Sequence, residues 1–247
     1  MQEKEGKNRI KELKTRSFVQ NVYTFTDFLS PSDRYRFGAE EEDGVPCLSY
    51  GGAPFAERKM VRYGGESCYG SGEFPIRIVR IYARGAKFAA PLTHRDYLGA
   101  ILALGIERNS MGDIWANGTE AYLAAEERIA AFIIENLQSV GRVAVCAEVA
   151  QEVPPSFAPK TVEERVVVTS LRIDALLARV YDLSREAGQE LVSDDRVSAS
   201  GKPVTKGTYE PKLGEVITAR GFGKFTFLGE CGTTKKGKTV VTIARFL

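Results

Sequence analysis

The chain has 247 residues, 43% of them hydrophobic, enough for two or three modest cores, and a formal net charge of only +2. No apolar run approaches the roughly eighteen residues of a membrane span, and the opening MQEKEGKNRIKELKTR, charged with both signs, lacks a secretory core, so the cytoplasm is the expected compartment. Cys47, Cys68, Cys146 and Cys231 are scattered with no Cys-x-x-Cys pair, which argues against a zinc knuckle or a disulfide framework and for reduced thiols.

In chain order, residues 1–73 open with an amphipathic helix and continue through glycine-rich, proline-punctuated segments around Gly51-Gly52 and Gly64-Gly65, the pattern of a small α+β domain. The acidic run Glu40 to Asp43 reads as a loop, because it has no spaced oxygen ligands closed by a glutamate. Over 74–160 the pattern sharpens. Ile76 to Tyr82 is a β-rich run, Thr93 caps a helix ending at Gly105, and Ile114 to Ala116 meets Thr119 to Leu123 across Asn117-Gly118. A helix over Ala124 to Leu137, with Ile129, Phe132, Ile133 and Leu137 at helical spacing, and a strand over Val143 to Val149 complete β-α-β-β-α-β, a ferredoxin-like order. RNA-recognition-motif domains share this order, but these strands lack their aromatic-rich signature. Trp115 and Tyr82 therefore read first as packing residues and second as stacking residues. Pro154, Pro155 and Pro159 interrupt the pattern, which places a domain boundary near 155–165.

The third segment, 161–247, begins with the apolar strand Val166 to Val168. Ile173, Leu176, Leu177 and Val180 then form one stripe of a helix, with Arg172 and Arg179 outside it. Ser184 caps a second helix in which Leu183, Ala187 and Leu191 recur, so that Arg185 projects outward near the first-turn amides, where an arginine suits a phosphate. Asp174 reads as a first-turn acid favoured by the helix dipole. After Asp195, Ser200-Gly201 makes a two-residue turn that leaves Lys202 at a hairpin tip. Strands over Glu215 to Arg220, Lys224 to Leu228 and Thr239 to Ala244 follow, with Arg220 and Lys224 flanking Gly221-Phe222-Gly223 and lysines 235, 236 and 238 in an exposed tip. The Gly-Phe-Gly segment is either a bulge or a place of close approach to a partner. Charge is distributed unevenly: from Thr169 onward there are 13 Lys and Arg against 9 Asp and Glu, whereas residues 1–168 carry 21 against 23. Basicity is thus local to the last third.

Catalytic readings are weak. His94, the one histidine, follows the capping Thr93 and precedes Asp96 by two residues; an enzyme would use it as a base oriented by that carboxylate, but Thr-x-x-Asp at a helix start is ordinarily a cap. No nucleotide-binding fingerprint, metal-ligand spacing or catalytic constellation appears, and no cofactor, metal or catalytic residue is expected.

The run LRID over Leu171 to Asp174, Ser184-Arg185 and Gly201-Lys202 resembles the hallmark of the RNA-binding domain first described in small-subunit ribosomal protein S-four, the alpha-L motif. That resemblance implies RNA-contact roles for Arg172, Arg185 and Lys202; Arg220 and Lys224 extend the expected patch, and Arg179, Ser184 and Lys206 complete the expected set. The family often has lysine where this chain has Gln189, which implies fewer phosphate contacts. Three further blocks, TFTDFLSPSDRY from residue 24, YGGAPFAERKM from residue 50 and THRDYLGAILALGIERNSMGDIW from residue 93, are similar to successive blocks of the YlmH-type RNA-binding proteins. The resemblance implies an α+β chain of three small domains that binds ribosomal RNA and tRNA as a monomer on the large ribosomal subunit, in quality control of an obstructed peptidyl-tRNA, without catalysis. An RNA-modifying enzyme and a cell-division adaptor are the competing readings.

Overall fold

Ile10, Leu13, Lys14 and Ser17 recur at helical spacing and form the buried stripe of helix α1 (Gln2–Gln20) in a computed structural model that describes residues 2–41, 43–85 and 90–247. The buried Lys14 is neutralised by Asp43 at 2.7 Å and donates to the carbonyls of Glu41 and Gly38. Glu42, inside the acidic run, lies outside the described residues. Strand β1 (Thr24–Phe25), helix α2 (Pro31–Phe37), β2 (Cys47–Tyr50) and β3 (Met60–Tyr63) follow, and the strands pair antiparallel in the order β1-β3-β2.

Strand β4 (Ile76–Ala83) leads through α3 (His94–Leu102) to β5 (Met111–Asn117), β6 (Glu120–Glu126), α4 (Glu127–Asn136), the two-residue β7 (Ser139–Val140) and β8 (Val143–Ala150). The antiparallel sheet has the order β5-β6-β4-β8-β7, a split β-α-β arrangement. One element differs from the sequence expectation: Ala124 and Ala125 belong to β6, paired with Ile78 and Arg77, and α4 starts only at Glu127. Alanine is the strongest intrinsic helix former, but propensity is a weak force beside tertiary context, and two-sided sheet pairing of fully buried positions overrides it. One sheet face packs on α3 and α4 through Val79, Ile81, Leu123, Tyr97, Ile101 and Ile133. The other is partly covered by Phe28, Ala53, Ala56 and Met60, which close on Ile78, Trp115, Tyr122 and Ala124. Trp115 meets Phe55 edge-on at 5.5 Å. At the uncovered end Arg80 lies over the Tyr82 ring and bridges Glu120 at 2.6 Å and Glu148 at 3.1 Å. Trp115 is thus a packing residue, and Tyr82 is held by its neighbours.

These elements make one compact unit, residues 1–158; residues 159–247 make a second. In the second, β9 (Thr161–Val168) is followed by α5 (Ile173–Val180), α6 (Arg185–Ser193), β10 (Val197–Ala199), β11 (Lys202–Pro203), β12 (Val216–Ala219), β13 (Gly223–Thr233) and β14 (Thr239–Phe246). The sheet order is β11-β10-β12-β13-β14-β9, antiparallel throughout. Strand β9 is longer than Val166–Val168 because all eight of its residues pair with β14, the polar start included; at a sheet edge such residues stay exposed without cost. Both helices lie on one face, where Ile173, Leu176, Leu177, Val180, Leu191 and Val192 bury against Ile217, Phe225, Phe227, Val241 and Ile243. No described helix is long and apolar enough to cross a membrane.

Candidate nucleic-acid interface

The centre of the second unit's polar face is a carboxylate. Asp174 is fully buried, where a lone charge would be costly, and it is satisfied from several sides. Arg172, the residue before α5, donates Nε to Oδ1 at 3.1 Å and Nη2 to Oδ2 at 2.5 Å; the Ala175 amide donates at 2.7 Å, and Gln189 of α6 reaches Oδ2 at 3.4 Å. Burial pushes the Asp174 pKa up, but the hydrogen bonds from Arg172, Gln189 and Ala175 outweigh it and hold the carboxyl below its ordinary value. Asp174 is therefore more than the simple first-turn acid the sequence suggests: it ties both helices and a loop together. That loop, residues 206–209, accepts the α5 amides of Ile173 (on Tyr209 O, 2.7 Å) and Asp174 (on Gly207 O, 3.3 Å), and Tyr209 anchors it by donating to Glu215. The first amides of α5 are thus spent within the protein, and an anion here must be met by side chains.

Two glycines make this geometry possible. A Cβ on Gly207 would sit 3.0 Å from Asp174 Oδ2, and one on Gly188 would sit 2.5 Å from the Asp174 carbonyl oxygen. Gly188→Ala is expected to force α6 away from α5 and to destabilise this unit by about 1–3 kcal/mol, read as a lower denaturation midpoint. An unchanged midpoint would show that the helix contact is looser than drawn.

Around this hub the expected residues sort into groups. Arg172 is committed to Asp174, but the fork uses two of its five donors and leaves the outer edge of the guanidinium available. Lys206 is exposed in the loop clasped to α5. Arg185, also exposed, stands four residues before Gln189 on α6 and so shares its face. Ser184 Oγ caps α6 by accepting from the Ala187 amide at 3.0 Å. Ser200 (φ 47°) and Gly201 (φ 87°) form the tight turn, with exposed Lys202 directly after it, four residues from Lys206. Arg172 and Gln189 thus meet at Asp174, with Lys206 in the loop clasped to α5, Arg185 one turn before Gln189, and Lys202 just past the turn that precedes that loop. Arg179 is exposed near the far end of α5. Arg220 lies in the β12–β13 turn, and the next residue but one, Phe222, packs on Tyr181 just past that far end. The Gly-Phe-Gly segment is that turn, with Gly221 at φ 90°. Lys224 pairs with Thr218 and extends over the Phe246 ring, so it belongs to the sheet face opposite the one that carries the helices.

The sequence reading missed a cleft of about 540 Å³ at the far end of α5, lined by Arg179, Tyr181, Phe222 and Arg245 among others. Arg245 donates to Val180 O at 2.6 Å and to Glu164 at 2.9 Å, and burial raises the Tyr181 hydroxyl to about 12. Its one sequence signal is an arginine amid the apolar alternation of β14. In the first unit the Asp96 carboxylate accepts from both Thr93 N and Thr93 Oγ1 at 2.7 Å, which is capping geometry. Among the described residues no group of three or more His, Cys, Asp or Glu is placed to hold a metal ion.

Comparison with known proteins bears on what this surface serves. Residues 70–152 match the family model described as the putative RNA-binding domain in YlmH. The chain is 30% identical over 238 residues to Ribosome-associated protein quality control protein P2 of Bacillus subtilis (strain 168), spanning 94% of this chain and 92% of that protein. It belongs to the YlmH family of RNA-binding proteins. The solved structure of Cell division protein ylmH from Streptococcus pneumoniae resembles this YlmH-family chain in fold, with a TM-score of 0.50 at 19% identity over 61% of this chain and 92% of that one. The mixed α and β architecture accords with membership.

Proposed function

We propose that this protein is a non-enzymatic, cofactor-free binder of structured ribosomal RNA and tRNA, acting as a cytoplasmic monomer on the large ribosomal subunit in quality control of stalled peptidyl-tRNA. The reading divides the chain into an N-terminal α+β domain (1–73), a central ferredoxin-like domain (74–160) and a C-terminal alpha-L domain (161–247). The observation that supports it most is the buried Asp174 carboxylate, which ties Arg172, Gln189 of α6 and, through the α5 amides, the 206–209 loop together; on this reading Arg172, Arg185, Lys202 and Lys206 serve as the RNA contacts. Ser184 sets the start of α6, and Arg179, Arg220 and Lys224 serve as separate outlying contacts. Side chains of this kind grip phosphates and fix orientation, leaving specificity to the shape of the RNA. The name of the Bacillus subtilis relative supplies the quality-control setting.

With four or five phosphates neutralised, the logarithm of affinity for large subunits should fall with the logarithm of salt at a slope of roughly −3 to −5. Cosedimentation across a salt series measures this, and a slope near zero would contradict a phosphate-gripping interface.

A further inference from the structure

The three sequence blocks that resemble the family lie in the first unit, where they meet one another. Arg58, from the second block, donates Nη2 to the carbonyls of Phe28 at 2.8 Å and Arg108 at 3.2 Å, and Nε to Met111 O at 3.2 Å. Arg108, from the third block, donates Nη1 to that same Met111 oxygen and to Gly112 O, both at 2.8 Å. Two guanidinium nitrogens, 3.2 and 2.8 Å from one shared oxygen, can be no further apart than the sum of those distances. Both side chains are half-buried, and Asp113 acts on both through its charge, with Asp33 acting on Arg58 as well. The nearby acid, Asp113, is engaged by the amides of Glu57 at 2.6 Å and Arg58 at 3.1 Å. Carbonyl dipoles orient the two cations without cancelling their charge, and each guanidinium keeps donors that no carbonyl uses. His94, exposed at the start of α3, senses the charges of Arg108 and Asp113: partial desolvation and then Arg108 hold its pKa below the ordinary value, and Asp113 opposes them.

Like charges held this close in a partly dry setting suit an incoming anion, and a guanidinium pair fits a phosphate. The sheet face on which base-stacking domains of this topology bind is partly covered by Phe28, Ala53, Ala56 and Met60, which narrows what that face offers RNA. We propose that Arg58 and Arg108 form a second phosphate-binding site, which takes a backbone phosphate of the RNA, with His94 as the neighbouring group that senses its charge. The inference rests on the RNA-binding reading above and extends it to the first unit.

His94 is the one histidine in the sequence, so its imidazole signal in the full-length chain is unambiguous by NMR. Titrating that signal against pH, alone, with inorganic phosphate and with a short synthetic RNA hairpin, tests the site in the unmodified protein. Both additions are expected to raise the His94 midpoint by about 1 pH unit, because an adjacent anion favours the imidazolium. Arg108→Gln and, separately, Arg58→Gln should each remove most of that rise while the far-UV spectrum stays native. A midpoint unmoved by either addition overturns the site. A midpoint moved by phosphate but not by a hairpin shown to bind assigns the site to a free phosphate compound and overturns the RNA contact. If the hairpin does not bind at all while phosphate still moves His94, the RNA-binding reading fails and takes the RNA contact with it, leaving the anion chemistry of the site intact.

Discussion

Arg185→Glu is expected to weaken binding to large ribosomal subunits about 30- to 100-fold near physiological salt, and to reduce the salt slope by roughly one or more. Arg185 is exposed in the first turn of α6, on the face that carries Gln189 to Asp174. The reversal both removes a phosphate contact and sets a carboxylate against the RNA backbone. Ser184 still caps the helix, and an acid in the first turn is favoured by the helix dipole, so the fold should not suffer. Lys224→Gln serves as the contrast: it lies on the opposite sheet face, and the affinity should change less than about threefold. Equal losses from the two variants in a binding titration would mean that overall charge, and not this face, drives association.

Asp174→Ala is expected to destabilise the second unit by about 2–4 kcal/mol, because it leaves an empty polar site beside Gly188 and Gly207 and removes the acceptor that orients Arg172, Gln189 and the Ala175 amide. The wild-type carboxyl has a folded-state pKa below its unfolded value. A group depressed in this way contributes its full stability above the unfolded pKa of about 3.9 and loses it as pH falls through the lower folded value. Wild-type stability should therefore drop on acidification below about pH 4 by an increment that the variant lacks. Denaturant midpoints measured for both proteins from neutral pH downward check this, and parallel curves would show that Asp174 titrates as it does in the unfolded chain. RNA affinity should fall along with stability, since the lost carboxylate positions the cations.

The alternation and helical spacing of the second unit were readable in the sequence because each element buries one stripe: Ile173, Leu176, Leu177 and Val180 mark α5, and Ser184 and Ser200-Gly201 mark its neighbours by local chemistry. The role of Asp174 was not readable, since a first-turn acid and a buried anchor look alike in sequence; the signal was the pair Gly188 and Gly207, small residues whose closeness to Asp174 only tertiary structure reveals. Lys224 was grouped with Arg220 by proximity in the chain, whereas strand alternation sends it to the other face. The Ala124-Ala125 step was misread because local preference competes with sheet pairing, and the extent of β9 because its partner, β14, is about seventy residues away. Likewise, Arg58 and Arg108 are fifty residues apart in the chain, and their meeting at Met111 O is a tertiary contact that local pattern does not encode.

The central claim is that the cations gathered around Asp174 touch RNA. Crosslinking the full-length chain to purified large ribosomal subunits by ultraviolet light, then identifying nucleotide-bearing peptides by mass spectrometry, tests it most directly. The adducts should fall within residues 171–189 and 200–209. Adducts confined to the lysine-rich tip at 233–238 or to the sheet face of Lys224, with none in those two segments, would contradict it.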